Sequence, residues 1–101
     1  MMLLYHATSE EGFKGITKDG QINADCTGVV YFAETAKDAT KFVAFRLFGQ
    51  PIYVIEVAIP EEEQDKVEES FDHSFNFFQC RAWTYAGDVP SDWFTNAWMF
   101  T

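Results

Sequence analysis

Apolar and polar positions alternate with two different periods along this chain, and the switches between them mark the expected elements. Met2 to Tyr5 is a short apolar run that reads as a buried strand. His6-Ala7-Thr8-Ser9 is expected to leave that strand. Thr8 or Ser9 can cap a helix, with Glu10 and Glu11 in its first turn, where the helix dipole favours negative charge. Phe13 and Ile16 share one face of that helix, and Gly20 is its expected stop. A short extended stretch follows over Gln21 to Ala24. Gly28 to Ala33 then combines β-branched and aromatic residues, the composition of a buried strand.

Thr35 is an expected N-cap, with Asp38 placed to complete a capping box. The apolar positions Ala36, Ala39, Val43 and Leu47 recur at helical spacing, so this helix is expected to run to about Phe48, with Gly49 and Pro51 as the stop. Ile52 to Ile59 is the clearest strand. Tyr53, Ile55, Val57 and Ile59 fall on one face, and Ile52, Val54, Glu56 and Ala58 on the other. Pro60 closes it. Glu61 to Asp72 is polar and poorly periodic, and reads as a loop or a short exposed helix. Cys80 to Tyr85 reads as a strand, Gly87-Asp88-Val89-Pro90 as a turn, and Trp93 to Phe100 as a closing strand. This order predicts an α+β fold: split antiparallel β-sheets with two short helices.

Composition narrows the picture. At 101 residues the chain is one domain, 1–101, without repeats or linkers. No apolar run approaches the roughly 20 residues that span a bilayer. The opening Met1-Met2-Leu3-Leu4-Tyr5 lacks the basic and long apolar regions of a signal peptide. Cys26 and Cys80 lack metal-ligand spacing and read as reduced thiols of a cytoplasmic protein, with no metal site implied. Seven Lys and Arg face sixteen Asp and Glu, for a net charge of −9. Nucleic-acid binding through a basic face is therefore not expected, and an anionic membrane surface would repel the chain. Seven of the acids lie between Glu61 and Asp72, against one Lys66. That segment is either a solvated face or a contact for a basic protein partner.

The residues Leu4-Tyr5-His6-Ala7-Thr8, then Gly28-Val29-Val30-Tyr31-Phe32-Ala33, then Gly87-Asp88-Val89-Pro90 occur in the order seen in a known family. Together they resemble the ADP-ribosyltransferase superfamily, whose members carry an L-Y-H-G-T first strand, a G-x-Y-F second strand and a G-D-I-P turn. The resemblance implies that NAD, as substrate, lies in a cleft between two small sheets, and that ADP-ribose passes to a macromolecular target. It implies that His6 hydrogen-bonds the adenosine-side ribose, that the Ala7 backbone holds the nicotinamide amide, and that Thr8 follows in the usual place. Tyr31 would stack on nicotinamide, a flat ring on a flat ring. Most members place a Glu on the strand before the turn, where it stabilises the cationic sugar centre. Here that position falls near Ala82, which leaves Gln79 as the stand-in catalytic residue. Arg81 either pairs with an acid or contacts a ligand phosphate. The alternative function is a catalytically inactive acidic inhibitor or immunity-type protein, steered to a basic partner by the segment from Glu61 to Asp72.

Overall fold

Both helices begin where a hydroxyl meets an unpaired backbone N–H. The computed structural model describes residues 2–70 and 81–101. Strand β1 (Met2–Ser9) runs directly into α1 (Glu10–Asp19), and Ser9 Oγ accepts the Gly12 N–H at 3.1 Å. Gly20 closes the helix in the left-handed region, at φ 73°, and returns its N–H to the Ile16 carbonyl. Helix α2 (Ala36–Ala44) starts on Thr35, whose Oγ1 accepts the Asp38 N–H at 3.0 Å.

Helix α2 stops at Ala44, four residues before the expected Phe48. The N–H groups of Arg46 and Leu47 both converge on the Val43 carbonyl, which tightens the last turn and ends the ladder. Nothing draws the next turn onto the core: Phe45 and Phe48 stand 61% and 92% exposed. Strand β1 also differs from expectation. His6 to Ser9 stay in the strand because each faces a residue of β4 (Ile52–Ile59), from His6 opposite Ile55 to Ser9 opposite Ile52.

The remaining strands are β2 (Gln21–Ile22), β3 (Val29–Ala33), β5 (Val67–Ser70), β6 (Ala82–Ala86), β7 (Val89–Pro90) and β8 (Phe94–Phe100). Strand β5 corrects the loop-or-helix expectation for its segment: a 3₁₀ helix spans Glu61–Lys66, and the chain then extends against β6. A two-residue pairing with β2 converts part of the expected Gly87–Pro90 turn into β7. Trp93 belongs to a short 3₁₀ turn ahead of β8.

The fold is α+β. Six antiparallel strands lie in the order β5-β6-β3-β1-β4-β8, and β2 and β7 form a separate two-stranded sheet. The large sheet is joined at its centre by one register position, Tyr5 opposite Ala33. Beyond it β1 continues with β4, and β3 continues with β6. The sheet therefore consists of two halves that part next to His6. One face carries the main core of Leu4, Val30, Phe32, Ile55, Val57 and Ile59, closed by Ile16 of α1 and by Ile22 and Val89 of the small sheet. The other face is a thinner layer of Ala33, Ala39 and Val54 beneath α2.

Candidate functional site

Where the two half-sheets part, their residues line a cavity of about 210 Å³. His6 and Ala7 reach it from β1, and Val29, Val30 and Tyr31 from β3. Phe42, Val43 and Arg46 close it from α2 and the turn that follows, while Asn23 and Asp25 stand on the loop before β3.

His6 bridges the gap. Its half-buried ring meets Phe32 edge-on at 5.9 Å, and its Nδ1 lies 2.9 Å from the Tyr31 carbonyl. A carbonyl only accepts, so Nδ1 carries the proton and donates. Burial holds the ring's pKa below the usual histidine value, against the smaller opposing effect of the Tyr31 contact. The neutral ring is thus fixed as one tautomer, and its Nε2 is left as an acceptor suited to a hydroxyl group.

Asp25 supports the site's wall. Its Oδ1 accepts from the Thr27 hydroxyl at 2.5 Å and from the Thr27 N–H at 2.8 Å, closing the turn before β3. These bonds, the Thr27 hydroxyl foremost, hold its carboxyl below the usual range. Arg46 brings the opposite charge to the cavity. Its guanidinium lies 5.9 Å from the Phe45 ring centre and makes no ion pair among the described residues. Lys14, Lys41, Lys66 and Arg81 pair with carboxylates, while Lys18 and Lys37, like Arg46, make no ion pair among the described residues.

The structure thus brings together His6, Ala7 and Tyr31 from the sequence-derived set. Thr8 is turned toward α1, where its Oγ1 occupies the space that a Cβ on Gly12 would need. Arg81 lies on the far half-sheet in a two-point ion pair: Nε to Glu69 Oε2 at 2.8 Å and Nη2 to Oε1 at 3.0 Å. It also stands 5.6 Å from the Trp83 ring centre. Ala82 is 2% exposed and packed within the sheet. Gln79 lies outside the described residues, as do Cys80 and the end of the acidic segment. Glu56, on the strand face of Ile52 and Val54, is held by two hydroxyls. It is half-buried, accepting from the Tyr5 hydroxyl at 2.8 Å and the Thr95 hydroxyl at 2.6 Å.

Sequence reasoning did not single out Arg46. Spacing alone does not mark it: Arg46 has no acid three or four residues away, but neither has Lys18. The acidic segment also reads differently in three dimensions. Glu63 accepts from Tyr85 at 2.6 Å and from Lys66 at 3.0 Å, so two of its acids, Glu63 and Glu69, bind structural partners.

No family model matches the chain, and no curated protein matches it. Among solved structures, the X-ray structure of protein CC0527 from Caulobacter crescentus is similar in fold. The two share 13% identity with a TM-score of 0.67, over 98% of this chain and 86% of that one. A double mutant of the same protein gives the same values. At that identity the likeness speaks for the fold alone.

Proposed function

We propose that this chain binds NAD or a related ADP-ribose nucleotide in the cleft between the half-sheets. The observation that carries the reading is the convergence of His6, Ala7 and Tyr31 on one cavity. These are three of the residues to which the ADP-ribosyltransferase resemblance gives roles. His6 Nε2 would accept a ribose hydroxyl proton, and the Tyr31 ring would stack on nicotinamide, an interaction worth about 0.5–1.5 kcal/mol beyond area burial. At about 210 Å³ the cavity is below the roughly 300–1,000 Å³ that encloses a whole drug-sized ligand. It therefore encloses only part of the dinucleotide, the nicotinamide over Tyr31, with the rest of the ligand reaching past His6 toward the surface. The phosphates lie toward Arg46, whose uncommitted charge in a −9 chain is suited to an anion.

The reading extends to chemistry. The bond between the nicotinamide nitrogen and the ribose carbon breaks, nicotinamide leaves with the electron pair, and a nucleophile of a macromolecular target takes up the ADP-ribose. Gln79 is the residue to test for support of the cationic sugar. Calorimetric titration with NAD, ADP-ribose and nicotinamide riboside, with chromatographic detection of released nicotinamide, examines both levels. Binding of NAD that weakens about tenfold or more in His6→Ala and Tyr31→Ala supports the site. Arg46→Gln is expected to weaken NAD and ADP-ribose but not nicotinamide riboside. No heat from any ligand, or binding indifferent to these substitutions, overturns it. Binding without nicotinamide release removes the transfer step and leaves the binding site.

A further inference from the structure

Among the described residues that line the cavity, Asp25 is the one acid and Arg46 the one cation. The two carboxylate oxygens of Asp25 are used unequally. Oδ1 accepts from the Thr27 hydroxyl at 2.5 Å, the Thr27 N–H at 2.8 Å and the Val29 N–H at 3.4 Å. Oδ2 has no hydrogen-bond partner among the described residues. The backbone of Asp25 is committed as well. Its N–H donates to the Val29 carbonyl and its carbonyl accepts from Gly28, both at 2.9 Å. One oxygen is therefore left to accept, on a residue whose other polar groups are all engaged.

The loop that carries Asp25 is fixed from outside by Asp88. Asp88 Oδ1 accepts the Ala24 N–H at 2.8 Å, and its Oδ2 accepts from Gln21 Nε2 at 3.3 Å. The neighbouring Gly87 N–H donates to the Gly28 carbonyl at 3.1 Å. The loop is thus held at both ends by one turn. The four residues from Asp25 to Gly28 are exposed, so their order comes from hydrogen bonds and not from burial. These bonds fix the place of one carboxylate at the rim of the cavity.

We infer that Asp25 is a ribose-binding residue of the cleft, that Asp88 positions it, and that together they select a ribose with free 2′- and 3′-hydroxyls over one that carries a phosphate there. This rests on the nucleotide reading of the cavity. A vicinal diol offers two hydrogens, and the cavity supplies two acceptors for them, the neutral His6 Nε2 and Asp25 Oδ2. An acidic residue on a ribose hydroxyl is also the arrangement by which other nucleotide sites accept NAD and not NADP. The bonds from Thr27 favour the ionised carboxylate of Asp25. A 2′-phosphate would bring roughly −1.5 to −2 more charge beside it. Arg46 does not offset that charge, because the pyrophosphate already claims it.

Calorimetric titration of the full chain with NAD and with NADP tests this. The unsubstituted chain is expected to bind NAD about tenfold or more tightly than NADP. Asp25→Asn keeps Oδ1 for the turn but replaces the free oxygen with an uncharged amide donor. It is expected to weaken NAD about tenfold and to tighten NADP. A substitution that merely loosened the loop would weaken both. Asp88→Ala is expected to weaken NAD, and Asp88→Asn, whose Oδ1 still accepts the Ala24 N–H, to restore it. Thermal melts monitor the folding of each variant. If the unsubstituted chain binds neither nucleotide, the nucleotide reading falls and this inference with it. If it binds NAD but does not prefer it over NADP, or if Asp25→Asn moves both ligands alike, the site stands and the inference is overturned. Unchanged NAD binding in Asp88→Ala overturns the positioning role.

Discussion

The two faces of the large sheet solve the same burial problem with different materials. Under α1 and the small sheet the core is made of large side chains, with Phe32, Ile55, Val57 and Ile59 at 0–1% exposure. Under α2 the completely buried residues are Ala33, Ala39 and Val54. The first face draws its stability from apolar area. The second lets a helix backbone come close to the strands. That close seat positions Phe42, Val43 and Arg46 over the parting of the half-sheets, so the thin face shapes the cavity while the thick face carries the fold.

Opposite substitutions should separate these roles. The largest effect is expected from Phe32→Ala on the thick face, a loss of about 3–5 kcal/mol measured by chemical denaturation. On the thin face enlargement is the damaging change. Ala39→Leu is expected to cost about 1–3 kcal/mol by overpacking and, by lifting α2, to alter ligand binding more than its stability cost suggests. If truncation and enlargement prove equally harmful on both faces, the contrast fails.

A smaller effect concerns His6, where the faces meet. Burial lowers its folded pKa below 6.5, so between that value and 6.5 the unfolded chain holds more protons. Stability therefore rises with pH through this window and levels off above it. Glu63 and Glu69 are both held below 4.5, Glu63 first by the Tyr85 hydroxyl and Glu69 first by Arg81. Their contribution is present above 4.5 and is lost only as pH falls further, so it does not overlap the His6 window above 4.5. His6→Gln is expected to flatten the stability profile there, as read by urea titrations at stepped pH.

Local chemistry made much of this legible. Ser9, Gly20 and Thr35 close helix ends through their own atoms, and Ile52–Ile59 declares itself by alternation. The acidic stretch misled because Glu68 and Glu69 have little intrinsic preference for a strand. Their extension is imposed by pairing with β6, where Glu69 lies opposite Trp83. The same holds for His6 to Ser9: the apolar pattern stops at Tyr5, but the ladder to β4 does not.

The candidate site divides in the same manner. That Tyr31 belongs to a strand, that most charge lies in one segment, and that the fold is α+β with two helices all follow from residue type and spacing. Such properties depend on neighbours a few positions apart. That β1 and β3 meet at one register position and then separate was decided by the tertiary structure alone. So was the assignment of the two arginines, Arg81 to an ion pair with Glu69 and Arg46 to the cavity. The physical reason is range. A cap or an alternation is an energy between residues close in sequence, whereas a cleft exists only where strands 25 residues apart stop bonding to each other.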